Sequence, residues 1–126
     1  MIALHHVQVA CPPGGEEGAR RFYAGALRLT EVEKPVDLRA RGGAWFRAYD
    51  ERGAVAVEVH VGVEDPFLPA RKAHPAFVVD DLAAATAEVR AAGFDVDESE
   101  RTSFEGYLRF HTHDAAGNRV EVLQRV

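Results

Sequence analysis

One order of periodicities occurs twice in this chain, and that repetition restricts the fold more than any other feature. In the first pass, Leu4 to Ala10 alternates, with Val7 and Val9 on one side and His6 and Gln8 on the other, the period of a half-buried strand. Cys11-Pro12-Pro13-Gly14-Gly15 breaks that strand. Glu16 to Leu27 then places Ala19, Phe22, Tyr23, Ala26 and Leu27 on one helical stripe, with acids in the first turn. Arg28 to Lys34 leads out to Pro35, a middle strand is expected within Leu38 to Arg41, and an aromatic strand runs from Gly43 to Tyr49. After the turn at Asp50-Glu51-Arg52-Gly53, Val55, Val57, Val59 and Val61 alternate with Ala56, Glu58 and His60.

The second pass repeats this order beyond a linker that contains Pro66 and Pro69. His74 to Val79 reads as a strand, Asp80-Asp81 as an N-cap, Leu82 to Ala92 as a helix and Gly93 as its stop. Strands are expected over Phe94–Glu98, Tyr107–His113 and Arg119–Gln124, with Asp114-Ala115-Ala116-Gly117-Asn118 as the turn between the last two. Strand, helix, then strands, twice over, predicts an α+β chain of two tandem βαβββ modules. Module one is about 1–62, the linker 63–73 and module two about 74–126, and each unit buries its sheet by pairing with the other.

Composition narrows the function. At 126 residues, 47 % hydrophobic and 28 % charged, the chain has material for one core. A net charge of -5 without a basic patch argues against nucleic acid, and no apolar run reaches the ~20 residues that span a bilayer. The N-terminus lacks the pattern of a signal peptide, and a lone Cys11 allows no internal disulfide. A cytoplasmic location is the resulting expectation.

Alternation also assigns faces. One carries Val7/Val9, Val55/Val57/Val59/Val61, Phe77/Val79, Leu108/Phe110 and Val120/Val122, and must pack on the helices. The other carries His6/Gln8, Glu58/His60, His74, Tyr107/Arg109/His111/His113 and Arg119/Glu121. A merely solvated face would hold Thr, Ser, Lys and Glu; histidines and acids concentrate there instead. Imidazole and carboxylate together suit Zn, Mn, Fe, Co or Ni and leave positions open on an octahedral ion.

Four stretches resemble the glyoxalase/bleomycin-resistance/dioxygenase (vicinal oxygen chelate) superfamily. They are Leu4-His5-His6-Val7-Gln8-Val9, Ala19-Arg20-Arg21-Phe22-Tyr23 with Leu27-Arg28-Leu29, His74-Pro75-Ala76-Phe77-Val78-Val79, and Asp114-Ala115-Ala116-Gly117-Asn118-Arg119-Val120-Glu121. The last is similar to D-P-x-G-N-x-x-E, with Ala115 in place of the proline. The resemblance implies a curved mixed sheet with helices on its outer face, a homodimer, and a divalent metal held by His6, Glu58, His74 and Glu121. His5 would face away, and His60, sharing the face of Glu58, is the alternative fourth ligand.

By analogy with glyoxalase I, Glu121 or Glu58 would also serve as general base, while His60, His111, Arg109 and Tyr107 would shape the substrate pocket. His111 stands where relatives vary. Trp45, Phe46 and Phe67 read as core or interface residues that could also line a cavity. The implied activity is a metal-dependent lyase or isomerase acting on a small substrate through vicinal oxygens. Alternatives are fosfomycin-type epoxide opening, extradiol dioxygenation needing only His6, His74 and Glu121, and a bleomycin-resistance-type protein that binds a cationic drug without catalysis.

Overall fold

The computed structural model describes residues 1–126 and resolves the repeat into two sheets. The first contains β1 (Val7–Cys11), β2 (Thr30–Val32), β3 (Ala44–Tyr49) and β4 (Val55–Val63), in the order β1-β4-β3-β2. The second contains β5 (Ala76–Val78), β6 (Tyr107–His113) and β7 (Arg119–Arg125), in the order β5-β7-β6. In each sheet the opening strand runs parallel to the closing one: β1 pairs β4, and β5 pairs β7. A parallel pair needs a crossover, and a helix supplies it in both cases. These are α1 (Glu16–Ala19), continuing as a π-helical segment Arg20–Ala26, and α2 (Leu82–Ala91). The architecture is the mixed α+β arrangement expected from the tandem βαβββ order.

The faces follow the alternation. Val59, Val61, Phe110, Val120 and Val122 are buried with Phe22, Tyr23, Leu82 and Val89 in one core shared by both halves. The expected helix Glu16–Leu27 is present, but its second part is widened: Leu27 N–H donates to the Phe22 carbonyl, five residues back, at 3.0 Å. At α2, the Asp81 carboxylate accepts from Ala84 N–H at 2.9 Å, the predicted N-cap. Gly43 must lack a side chain, because a Cβ there would lie 2.0 Å from the Val61 carbonyl oxygen at the entry to β3.

Two strand expectations are corrected. Leu38 to Arg41 belongs to a 3-10 helix, Val36–Arg41, entered from Pro35 and left at Gly42 with φ of 70°. The strand beside β3 is instead Thr30–Val32, in the segment expected only to lead out of the helix. Arg20 clamps that edge strand to the helix through both oxygens of Glu31, at 2.9 and 3.1 Å. Phe94 to Glu98 contributes a single bridge, Asp97 with His111. There the Asp97 carboxylate turns to accept Ser99 N–H at 2.9 Å, ending the extended run, while Phe94 and Val96 pack onto the core.

The β6–β7 turn knots the halves together. Asp114 Oδ1 accepts the N–H groups of Ala116 and Asn118 at 3.0 and 2.9 Å. Its Oδ2 accepts the Tyr23 hydroxyl at 2.8 Å and Asn118 Nδ2 at 2.9 Å. Asn118 Nδ2 also donates to the Ala10 carbonyl at the end of β1, and its Oδ1 receives Ala70 N–H. Burial and the neighbouring Asp114 charge push the Tyr23 hydroxyl well above its ordinary range, so it stays a donor.

Two outcomes test this packing. Asn118→Ala removes hydrogen bonds to buried Asp114, half-buried Ala10 and the Ala70 N–H, and is expected to lower unfolding free energy by about 1–3 kcal/mol in urea titrations. Arg28 holds φ of 60° at the helix end, and its exposed pair with Glu88 contributes little. Arg28→Gly is therefore expected to raise stability by about 0.5–1 kcal/mol.

Candidate metal centre

Glu121 is central to the second sheet. On β7 it stands opposite His111 of β6, and its N–H donates to the Pro75 carbonyl at 3.0 Å, which brings His74 beside it. His74 Nε2 lies 3.0 Å from Glu121 Oε2, while His74 Nδ1 lies 2.7 Å from the Lys72 carbonyl. A carbonyl only accepts, so Nδ1 carries the proton, and a neutral ring turns its Nε2 lone pair toward the carboxylate. Arg109 Nη1 donates to Glu121 Oε1 at 2.8 Å. Arg109 also holds Glu100 at 2.8 Å and the Ser103 hydroxyl at 2.7 Å. The donor atoms of His74, His111 and Glu121 all lie within 4.8 Å of one another.

Glu121 and His111 are each 5 % exposed, so their charge states are set by their surroundings. Burial pushes the Glu121 carboxyl up, but the hydrogen bond and the positive charge of Arg109 outweigh it and hold the group below the usual carboxylate range. Burial, reinforced by the positive charge of Arg119, pushes the His111 imidazole down, toward its neutral form.

The first sheet presents a second carboxylate. Glu58 of β4 faces Arg47 of β3 in register, and the guanidinium grips it at 3.0 Å (Nε to Oε2) and 3.2 Å (Nη2 to Oε1). His60 Nε2 lies 2.8 Å from the same Oε1. The His60 ring is held between Trp45, stacked at 3.7 Å and 2°, and His6, stacked at 4.0 Å. Burial pushes the Glu58 carboxyl up and Arg47 and His60 draw it down, for a net lowering, while burial lowers His60.

The predicted residues thus fall into two groups. His74 and Glu121 come together with His111; Glu58 and His6 come together with His60. His6, Glu58 and His74 line one cavity of about 520 Å³ with Leu4, Phe77 and Val78. His5, expected to face away, lines it too. Arg109 reaches Glu121, whereas Tyr107 stacks on Phe104 at 5.0 Å, beside the Arg109 guanidinium. The donor set suits a divalent ion: two imidazoles and a carboxylate converge, and His111 Nε2 is buried without a partner. Arg47 was absent from the sequence reading, although alternation with Trp45 and Tyr49 along β3 puts it on the polar face. Trp45 is not plain core but the platform under His60.

Comparisons with known proteins identify the family and the fold. A sequence model of the Glyoxalase/Bleomycin resistance protein/Dioxygenase superfamily matches residues 4–122. A glyoxalase family protein from Bacillus anthracis is 36 % identical, with a TM-score of 0.89 over 100 % of this chain and 97 % of that one. A mutant of the fosfomycin resistance protein FosX from Listeria monocytogenes, complexed with Mn(II) and 1S,2S-dihydroxypropylphosphonic acid, is 15 % identical. It has a TM-score of 0.75 over 100 % of this chain and 94 % of that one. TnmS3, an antibiotic-binding protein from a Streptomyces species, is 19 % identical, with a TM-score of 0.68 over 100 % and 99 %. The last two likenesses are of fold alone. No curated protein matches the sequence. No helix is long and apolar enough to cross a membrane.

The buried histidines set a pH dependence. His60 and His111 have folded-state pKa values below the ordinary 6.5, so the unfolded chain binds their protons more readily. Their contribution is full above that value and declines as pH falls toward the folded values. Glu58 and Glu121, depressed carboxylates, add a second loss that begins only below about pH 4.5. For metal-free protein, the urea midpoint is expected to fall between about pH 7 and pH 5.5, and to fall less in the His60→Gln/His111→Gln variant. A wild-type midpoint constant across that window would contradict the assignment.

Proposed function

The chain belongs to the glyoxalase/bleomycin resistance protein/dioxygenase superfamily, and within it we propose a divalent-metal-dependent lyase or isomerase of glyoxalase type. Its substrate would be small and would present two adjacent oxygens. One observation carries this reading: His74 Nε2 and Glu121 Oε2 stand 3.0 Å apart with their other atoms anchored on Lys72 and Arg109. Two electron-rich atoms so placed call for positive charge between them, and two ligands at right angles on an ion, each about 2.1 Å from it, are about 3 Å apart. Outer partners that fix the tautomer and hold the free carboxylate oxygen are the usual support of a metal site.

His6 and Glu58, on the facing part of the cavity, complete the proposed set of His6, Glu58, His74 and Glu121, with His60 as the alternative to Glu58. Ni, Zn, Mn, Co and Fe all suit these donors. When bound, the ion would polarise the substrate's oxygens and reduce the cost of an adjacent anion. The protein's own groups would do the rest. Glu58, kept ionised by Arg47 and His60, takes a proton from the carbon beside those oxygens, and protonation loosens the Arg47 grip. Neutral His60 donates to Glu58 and, pinned by Trp45, holds its angle. Glu121 is the second candidate base, with Arg109 restraining its Oε1. Arg109 and Tyr107 offer a cation and a hydroxyl to an anionic part of the substrate, and Leu4, Phe77 and Val78 offer it apolar contact.

The mostly apolar cavity also supports a second reading, sequestration of a cationic drug by a protein of net charge -5. Elemental analysis after loading separates the two. About one ion per chain is expected in wild type and under about 0.1 in His74→Ala/Glu121→Ala. With thiol adducts of α-ketoaldehydes as first substrates, Glu58→Gln is expected to lower kcat about 10²–10⁴-fold while retaining the metal. Absence of metal under every loading condition would overturn the enzyme reading, and binding of cationic glycopeptides would then support the drug-binding one.

A further inference from the structure

We infer that His111 is a direct ligand of the metal, so that the primary site is His74, His111 and Glu121, all carried by the second sheet and the residues leading into it. The inference rests on the metal-dependent reading above and extends its ligand set by a residue that the sequence reading assigned to the substrate pocket.

Three observations carry it. First, register: His111 stands directly opposite Glu121 on the antiparallel β6–β7 pair, so the two side chains leave the same face as cross-strand neighbours. Second, isolation: His111 is 5 % exposed, and its Nε2 is buried with no hydrogen-bond partner. Buried imidazole nitrogens are nearly always paired, and an orphaned one is destabilising relative to an apolar side chain. A histidine kept there needs a partner that the protein itself does not provide. Third, convergence: its donor atom lies with those of His74 and Glu121 inside a 4.8 Å span. Ligand atoms around one ion are about 3–4 Å apart, so modest side-chain rotation closes the group without moving a strand.

The first sheet offers less. Both oxygens of Glu58 are engaged, Oε2 by Arg47 and Oε1 by Arg47 and His60. His6 is stacked on His60 across the cavity. Two imidazoles and one carboxylate on one side of an ion leave its remaining positions open toward the cavity that His6 and Glu58 line, where His6 can supply a further ligand and a substrate the rest.

The test uses Co(II) titration of the full chain by calorimetry, and pulsed electron paramagnetic resonance of the Cu(II)-loaded protein to count bound imidazoles. His111→Ala is expected to weaken Co(II) binding at least about 10-fold and to remove one imidazole from the count. His6→Ala is expected to keep the imidazoles of His74 and His111. Metal-free His111→Leu is expected to be at least as stable as wild type, because it removes an orphaned polar atom; a purely structural histidine would make that variant less stable. Co(II) affinity within about twofold of wild type and an unchanged imidazole count in both His111 variants would overturn the inference and leave the His74–Glu121 site standing. Failure of wild type to bind either ion would overturn the site as well.

Discussion

The carboxylate of Asp114 is the interaction on which the rest of the arrangement depends. It accepts from two backbone N–H groups of its own turn, the Tyr23 hydroxyl and the Asn118 amide. Through Asn118 it reaches the end of β1 and the segment at Ala70. A charged acceptor with four donors in a buried turn is expensive to disturb, because each partner would lose its hydrogen bond away from water. The consequence is positional. β7 starts at a fixed place relative to β1, so His74, bonded to Glu121 on that strand, shares a cavity with His6 although the two sheets exchange no strand pairing.

Both sheets then carry a buried carboxylate held by an arginine: Glu58 by Arg47 and Glu121 by Arg109. The likeness ends at the histidines. His60 is closed between Trp45 and His6 and donates to Glu58, a self-contained group that fixes one ionised acid. His74 is anchored through Nδ1 and turns Nε2 to Glu121, and His111 brings a nitrogen with no partner at all. One side has its imidazole and carboxylate paired; the other keeps a buried imidazole nitrogen unpaired. That asymmetry divides the proposed work, with metal binding on the second sheet and proton handling on the first.

Much of this was legible in the sequence because strand alternation is a local signal. It separated Val59 and Val61 from Glu58 and His60, and Val120 and Val122 from Glu121, and the order of elements gave the α+β repeat. The misses lie where local signal is weak or the cause is tertiary. Thr30–Val32 is too short to show a period and is a strand only because β3 and the Arg20 clamp hold it there. Leu38–Arg41 coils because Pro35 and Gly42 bound it closely. Phe94 to Glu98 has strand-like alternation, but Asp97 caps its own turn. Arg47 could have been found from its spacing with Trp45 and Tyr49. The missing partner of His111 could not, since a sequence does not show which buried nitrogens are left unpaired.

The most direct test of the account is an anomalous-difference map from crystals grown with Co(II) and measured at its absorption edge. A single strong peak within about 2.3 Å of His74 Nε2, His111 and a Glu121 oxygen is the predicted result. A peak confined to His6, His60 and Glu58, or none at full Co(II) loading, would contradict a metal centre built on the second sheet.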